Sequence, residues 1–433
     1  MKFVNGLHDA KVLLKTRERI VSASESPESL LSTEATVREI IQTVRTDGDR
    51  AIKLYTQKFD RVELAAIEIQ EAAISEAFTS APKSLIESLK VASVRVREFH
   101  ERSMPRSWHV ESEGYGEKFG PVSRAGIYIP GGSAAYPSSV LMTAIPARVA
   151  GVSEIIVCTP ANGSDGPDAS VLAACRLCGV DRIFAVGGAQ AIAAMAYGTE
   201  TIPAVDLICG PGNRYVTLAK KMVYGDVGID GLYGPTETII IADSTADPRH
   251  CAADLLAQAE HDVLATPILI TTSENMITAV RDQLQLQLQH LSRASIAEAS
   301  LNNNGLLIKV NSVGEALDIS NDFAPEHLCL LVDAAESYLP MVKNAGAVFL
   351  GHGTPEVLGD FVAGPSHVMP TGGTAKFSSP LGVHQFLKVT STIAFPQSLL
   401  QELQDATSTI ARYEGFTAHA GAIEIRFIES EDQ

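Results

Sequence analysis

The sequence predicts an α/β protein built on parallel sheets, with helical segments at both ends. Two observations carry that reading. From about residue 125 onward, short branched-apolar runs recur (AGIYIPGG, SEIIVCTPANG, DRIFAVGG, VDLICGPGN, ETIIIAD, TPILITTS, GLLIKVN, LCLLVDA, GAVFLG), each ending at turn residues. Helical stretches such as AQAIAAMAYG and RYVTLAKKMVYG separate many of them. Such alternation is the mark of parallel strands covered by helices on both faces. The runs suffice for two sheets, and 433 residues exceed what one hydrophobic core supports.

Residues 1 to about 110 read as mainly helical. Val37, Ile40, Ile41 and Val44 repeat at helical spacing in TEATVREIIQTVRTDGDRAIKLYTQKF, and Thr33 or Thr36 is placed to cap its start. The lone tryptophan, Trp108, reads as a packing residue. After Pro380 the chain returns to helix (PQSLLQELQDATSTIARYEGF) and finishes in GAIEIRF, expected to be a short strand. No linker, low-complexity stretch or internal repeat interrupts it.

Composition excludes several function classes. A net charge of −17 and an isoelectric point near 5.1 repel phosphate backbones and anionic lipid, so neither nucleic acid nor membrane is an expected partner. The start, MKFVNGLHDAKVLLKTRERI, has no apolar signal core, and no apolar run is long enough to span a bilayer; a cytoplasmic protein is expected. The Cys175–Cys178 pair lacks the second pair of a zinc ribbon and sits in an apolar-periodic helix ending at Gly179, so both read as buried, reduced thiols.

Three glycine turns follow strand-like runs: Pro130-Gly131-Gly132, Gly187-Gly188-Ala189-Gln190 and Gly210-Pro211-Gly212-Asn213. None is GxGxxG, and no phosphate-binding GxxxxGK[ST] loop exists. Glycines let backbone approach a ligand, and helices that follow present free N–H groups to anions. A bland turn accounts for the glycines equally well, but less well for Tyr128, Gln190 and Asn213 beside them.

Titratable residues cluster in four later segments. In DPRHCAADLLAQAEHD, Asp247 is the expected N-cap and Pro248 the first helical residue. Gln258 and His261, three apart, would neighbour each other on one helix face, a spacing that suits two ligands to one ion. In NDFAPEHL, Pro325 should push Ala324 toward an extended conformation. Glu326 and His327 then lie in a turn where both can address one cavity for acid–base work, or both face solvent. Asp360 and His367 fall in GDFVAGPSH, and Glu414 and His419 in YEGFTAH. Oxygen and imidazole donors without thiolate suit zinc or a neighbouring first-row metal, although spacing alone does not bring them together.

Together these segments resemble the histidinol dehydrogenase family over essentially the whole chain. The matching stretches, in the family's order, are GIYIPGGSAAYPSSVLM, GGAQAIAAMAYGT, ICGPGNRYV, QAEHD, APEHL, GDFVAGPSHVMPTGG and EGFTAHAGAIEIR. The resemblance implies zinc and NAD as cofactors, with Gln258, His261, Asp360 and His419 as zinc ligands. It implies Glu326 and His327 as the catalytic acid–base pair, and NAD contacts at Tyr128, Gln190 and Asn213. Substrate contacts would come from Thr236, His367 and Glu414, together with His327 and the zinc ligands. The reaction implied is NAD-dependent four-electron oxidation of L-histidinol through the aldehyde to L-histidine, the last step of histidine biosynthesis. Glu326 would activate the water that hydrates the aldehyde, and His327 would relay protons.

The family also implies two Rossmann-like domains in a domain-swapped homodimer. On that scheme residues 1–27 are a helical tail, and 28–127 with 238–380 form the first domain. Residues 128–237 form the second, NAD-binding domain, and 381–433 form a tail that carries Glu414 and His419 into the partner's site. One departure matters: Thr236 stands where the family's substrate-contacting serine is expected, and Tyr233 replaces a small residue. Phe361 and Ser366 likewise replace a tyrosine and an asparagine. An added methyl can shift substrate preference by roughly 1–3 kcal/mol. The rival reading keeps zinc, NAD and alcohol oxidation but changes the substrate to another amino-alcohol or a sulfonated propanediol.

Overall fold

The computed structural model describes residues 1–23, 27–131, 135–163 and 166–428, so Gly132 of the first glycine turn lies outside the described residues. The chain forms two compact units, Met1–Met104 with Val122–Phe386, and Pro105–Pro121 with Leu387–Gln433.

The first unit holds two parallel sheets. Six strands run, edge to edge, Lys2–Asn5, Leu306–Lys309, Thr266–Thr271, Glu237–Ala242, His327–Leu331 and Ala347–Leu350. Alternate residues of the central Glu237–Ala242 strand feed different cores. Ile239 and Ile241 pack with Leu328, Leu330 and Ile319, while Ile240 and Ala242 pack with Leu255, Cys251 and Leu269. Burial on both faces is why the run ETIIIAD is continuously apolar rather than alternating.

Five further strands run Arg182–Ala185, Glu154–Thr159, Arg124–Tyr128, Leu207–Cys209 and Gly228–Ile229. Val37, Ile40, Ile41 and Val44 of the helix Pro27–Tyr55 pack on this sheet against Phe184, Ile156 and Met195, which explains their periodicity.

The second unit is a three-stranded antiparallel sheet, Leu387–Ile393, Tyr115–Pro121 and Trp108–Val110, with helices Gln397–Tyr413 and Thr417–Glu424. Trp108 is half-exposed, donating to Glu117 at 3.0 Å and lying edge-on to Tyr115.

Several local expectations are corrected. The chain starts with a strand, because Phe3 and Val4 complete the edge of the six-stranded sheet before Gly6 (φ +94°) turns it into a helix. Thr33 and Thr36 lie inside a helix that begins at Pro27; the Thr36 hydroxyl bonds back to Ser32 instead of capping. GAIEIRF is helical, since the turns of Thr417–Glu424 and Ile425–Phe427 satisfy its backbone locally. Residues 115–121 pair with 387–393, within the second compact unit. Cys175 and Cys178 sit in the helix Ala169–Cys178, buried and unbridged like the other four cysteines.

Candidate active site

Two strands of the six-stranded sheet begin at the site: Thr236 precedes Glu237–Ala242, and Glu326 precedes His327–Leu331. Ala324 is left-handed (φ 58°) rather than extended. It caps the helix Val313–Phe323 through its N–H to Ser320 (2.7 Å), and Pro325 then forces the chain into the strand. This sharp entry seats Glu326 and His327 side by side, 8% and 2% exposed, which decides between the cavity and the solvent readings. Gly346 lets the neighbouring strand in: a Cβ there would fall 2.5 Å from the Glu326 carbonyl oxygen.

The Glu326 carboxylate accepts from the Thr236 hydroxyl at 2.6 Å and from the Glu237 N–H at 3.2 Å. Burial raises its pKa against those donors and the adjacent His327. His327 Nδ1 faces the Glu237 carbonyl oxygen at 3.2 Å, with Glu356 at 3.5 Å and Glu326 at 3.7 Å, while Nε2 lies 3.7 Å from Asp360. Burial alone would lower the His327 pKa, but this ring of carboxylates lifts it to about 10.

Glu356 is the residue that sequence reasoning missed. It is fully buried, and one of its oxygens accepts from Thr238 (2.6 Å) and Cys329 (3.0 Å), leaving the other toward His327. The burial of nearby Asp254, joined by the Glu356 charge, pushes the Asp254 carboxyl up to about 7. An acidic residue four before Asp360 was the only available signal.

Gln258 is buried on the helix Pro248–Ala259, which Asp247 caps as expected with Pro248 first. His261 lies beyond that helix, its N–H bonded to the Gln258 carbonyl at 3.2 Å, and its side chain is exposed. The regular helix ends at Ala259, but Glu260 keeps a right-handed helical conformation, so His261 follows Gln258 by one turn. His261 still comes near enough to act electrostatically on both Asp360 and His367.

Asp360, on the short helix Val357–Phe361, is buried, and the neighbouring histidines hold its carboxyl below the usual range despite burial. Burial lowers the His367 pKa against the pull of Asp360. His367 Nδ1 donates to the Asp360 carbonyl oxygen (2.6 Å), and Nε2 lies 3.1 Å from the Ser139 hydroxyl. Ser139 also went unnoticed in the sequence.

Thr236 settles the orientation of Gln258. Its one hydroxyl proton cannot serve both Gln258 Oε1 (2.8 Å) and Glu326 Oε2 (2.6 Å), and Gln258 Nε2 has no partner. With the amide turned over, Nε2 donates to Thr236, which donates to Glu326, and the buried Oε1 takes the unpartnered position. An orphaned carbonyl oxygen suits a hard or borderline cation, and Asp360, with His261 near enough to act on its charge, adds the carboxylate and imidazole donor types that zinc takes. Among the described residues no three His, Cys, Asp or Glu side chains form a metal cluster by themselves. Glu414 and His419 belong to the second unit, where both are exposed.

The glycine turns lie at the other sheet, at its carboxyl strand ends. Tyr128 is buried at the end of its strand, its hydroxyl accepting from the Gly188 N–H (3.1 Å) and its pKa raised to about 12 by burial. Gln190 is buried with its Oε1 unpartnered. Asn213 is exposed and caps the helix Arg214–Val223, accepting from Tyr215 (3.0 Å) and Val216 (3.2 Å). The bland and functional readings of Asn213 therefore coexist, because its cap leaves the rest of the residue facing outward. The turns thus occupy the usual ligand edge of a parallel sheet, whereas the acid–base pair sits at the amino ends of the other.

A buried carboxylate–imidazole pair on a fold with glycine turns at the carboxyl ends of a second parallel sheet is an arrangement typical of an α/β enzyme. A family model described as Histidinol dehydrogenase matches residues 24–427. The histidinol dehydrogenase of Sulfurimonas denitrificans is 47% identical over 401 residues, 91% of this chain and 93% of that protein. That of Dehalococcoides mccartyi is 45% identical over 431 residues, 98% and 99% of the two chains. The crystal structure of histidinol dehydrogenase from Elizabethkingia anophelis superposes with a TM-score of 0.92 at 34% identity, covering 98% of each chain. The chain belongs to the histidinol dehydrogenase family, and it is an oxidoreductase.

Proposed function

We infer that Glu326 and His327 carry the proton transfers by which this member of the histidinol dehydrogenase family oxidises L-histidinol to L-histidine in histidine biosynthesis. The observation that carries the assignment is the buried chain Gln258–Thr236–Glu326, which links a metal-suited oxygen to a carboxylate next to His327. When bound, zinc supplies a Lewis acid that fixes the substrate, and NAD accepts a hydride in each of two steps. Gln258, His261, Asp360 and His419 would hold the first, and Tyr128, Gln190 and Asn213 the second.

His327 takes the hydroxyl proton as the alcohol becomes aldehyde. Asp360 faces His327 Nε2 at 3.7 Å, and a cation held by Asp360 would offset that charge, lower the proton affinity of the imidazole and favour proton release from His327. Glu326, its pKa raised by burial, then takes a proton from the water that adds to the aldehyde. The second hydride leaves from that hydrate, giving the carboxylate. His367, Glu414 and Thr236 would orient the substrate.

Identities of 45–47% to histidinol dehydrogenases over nearly the whole chain favour histidinol over another polar alcohol. The Thr236 hydroxyl keeps the bonding role open to a serine. A second copy of this chain is the proposed source of Glu414 and His419. The second unit exposes Ile393, Ile410, Tyr413, Phe416, Ile425 and Ile428, large apolar side chains of the kind that mark a protein–protein contact surface. A cytoplasmic location fits such an enzyme, and no described helix is long and apolar enough to cross a membrane.

NADH formation from histidinol and, separately, from the aldehyde tests the roles in Glu326→Gln. The aldehyde step should fall far more than the alcohol step; equal losses in both would remove the water-activating role. No NADH from histidinol with the unaltered, zinc-loaded enzyme would sink the whole reading.

A further inference from the structure

We infer that the buried Lys220–Asp230 ion pair is a positioning element that clamps the Gly210–Asn213 turn for nucleotide binding. This rests on the reading of Gln190 and Asn213 as NAD contacts. Both charged side chains are essentially fully buried, 2% and 0% exposed. Lys220 lies on the helix that Asn213 caps, and Asp230 follows the strand Gly228–Ile229.

Their polar contacts go to glycine backbone. One Asp230 oxygen accepts the Gly210 N–H at 2.7 Å; the other accepts the Gly231 N–H at 2.8 Å and the Lys220 ammonium. The ammonium also donates to the Gly210 carbonyl oxygen at 3.1 Å, so the pair holds both polar groups of that residue. On the other side Gly210, at φ +112°, is pressed against Tyr128: a Cβ would fall 2.1 Å from the Tyr128 carbonyl oxygen. The turn is thus fixed between the pair and a proposed nucleotide contact.

Past Gly231, Lys220 Nζ lies 4.9 Å from the Tyr233 ring centroid, and the Tyr233 carbonyl oxygen accepts from Thr217 at 2.9 Å. Gly234 then donates to Thr371 at 2.6 Å, two residues before Thr236. The helix thus holds the turn through Lys220, while Thr217 and Thr371 hold the segment leading to Thr236 independently of the pair's charges. Apolar residues of similar size often replace buried ion pairs without loss of stability, so this pair is better explained by the backbone geometry it imposes.

The test is NAD binding by calorimetry, without alcohol, to the zinc-loaded dimer carrying Lys220→Met with Asp230→Asn. This neutral pair avoids a lone buried charge. Loss of a pre-set turn should weaken NAD by on the order of tenfold, with KM for NAD rising in parallel while kcat at saturating NAD and zinc content stay near wild type. If the double variant fails to fold, Lys220→Arg keeps the charge but displaces the donor from Gly210, and the same rise is expected. Unchanged NAD affinity in a folded variant overturns the inference. Asn213→Ala and Gln190→Ala separate the two readings. If they weaken NAD while the pair variants do not, only the positioning role fails; if they too leave NAD affinity intact, the nucleotide site itself is misplaced.

Discussion

Replacing Thr236 by valine keeps the shape of the side chain and removes one oxygen, the atom between Gln258 and Glu326 at 2.8 and 2.6 Å. Glu326 is then left with the single N–H of Glu237 at 3.2 Å. A hydrogen bond to a charged group contributes about 1.5–3 kcal/mol, which corresponds to roughly 10–150-fold in rate where that carboxylate works as a base. The sign of the pH effect follows. Burial already raises the Glu326 pKa, and Thr236 is one of the groups that lowers it, so Thr236→Val raises it further. The acidic limb of the aldehyde step should move to higher pH. NADH formation from histidinol and from the aldehyde, each followed across pH, measures both effects. Thr236→Ser retains the hydroxyl and should stay within about threefold of wild type, since one methyl in a pocket carries only a small share of the discrimination. Valine at wild-type rates for the aldehyde, or serine as damaging as valine, would refute the hydroxyl's role.

Two further outcomes concern the scaffold. His100, buried on the helix Lys83–Arg102, has its pKa pulled down to about 4 by burial. The unfolded chain takes up a proton near pH 6.5 and the native one resists, so the full stability contribution is present above that pH and is lost as pH falls toward 4. His100→Leu should abolish a dependence on the order of 3 kcal/mol in that window; thermal melts of the same steepness against pH in both proteins would count against it. Gly210→Ala should destabilise the protein and weaken NAD together, because the added Cβ meets the Tyr128 carbonyl oxygen at 2.1 Å in a backbone conformation that disfavours L side chains. A melting temperature equal to wild type would contradict the packing described for that turn.

The layered α/β architecture was legible because each buried parallel strand is a continuous apolar run and each covering helix keeps a 3.6-residue stripe. Those are local patterns, repeated wherever an element packs on both faces. The edge strand Lys2–Asn5 was not legible, since four residues carry no periodicity and its partner, Leu306–Lys309, lies about three hundred residues away. The helical end of GAIEIRF was missed for a related reason: alternation was read where local helix bonds were also open to the backbone.

By itself the sequence determined the fold class, the cap at Asp247, the reduced thiols and, through motifs in order, the family. It placed Glu326 beside His327, but not whether they face water or a cavity. Only the tertiary structure decided that, through the left-handed Ala324 and the close strand at Gly346. It alone brought Glu356 and Thr238 to His327, ended the helix before His261, and set Gln258, Thr236 and Glu326 in one chain. The physical reason is range. Caps and apolar stripes arise within a few residues, whereas a buried charge is tolerated only where segments distant in sequence meet to solvate it.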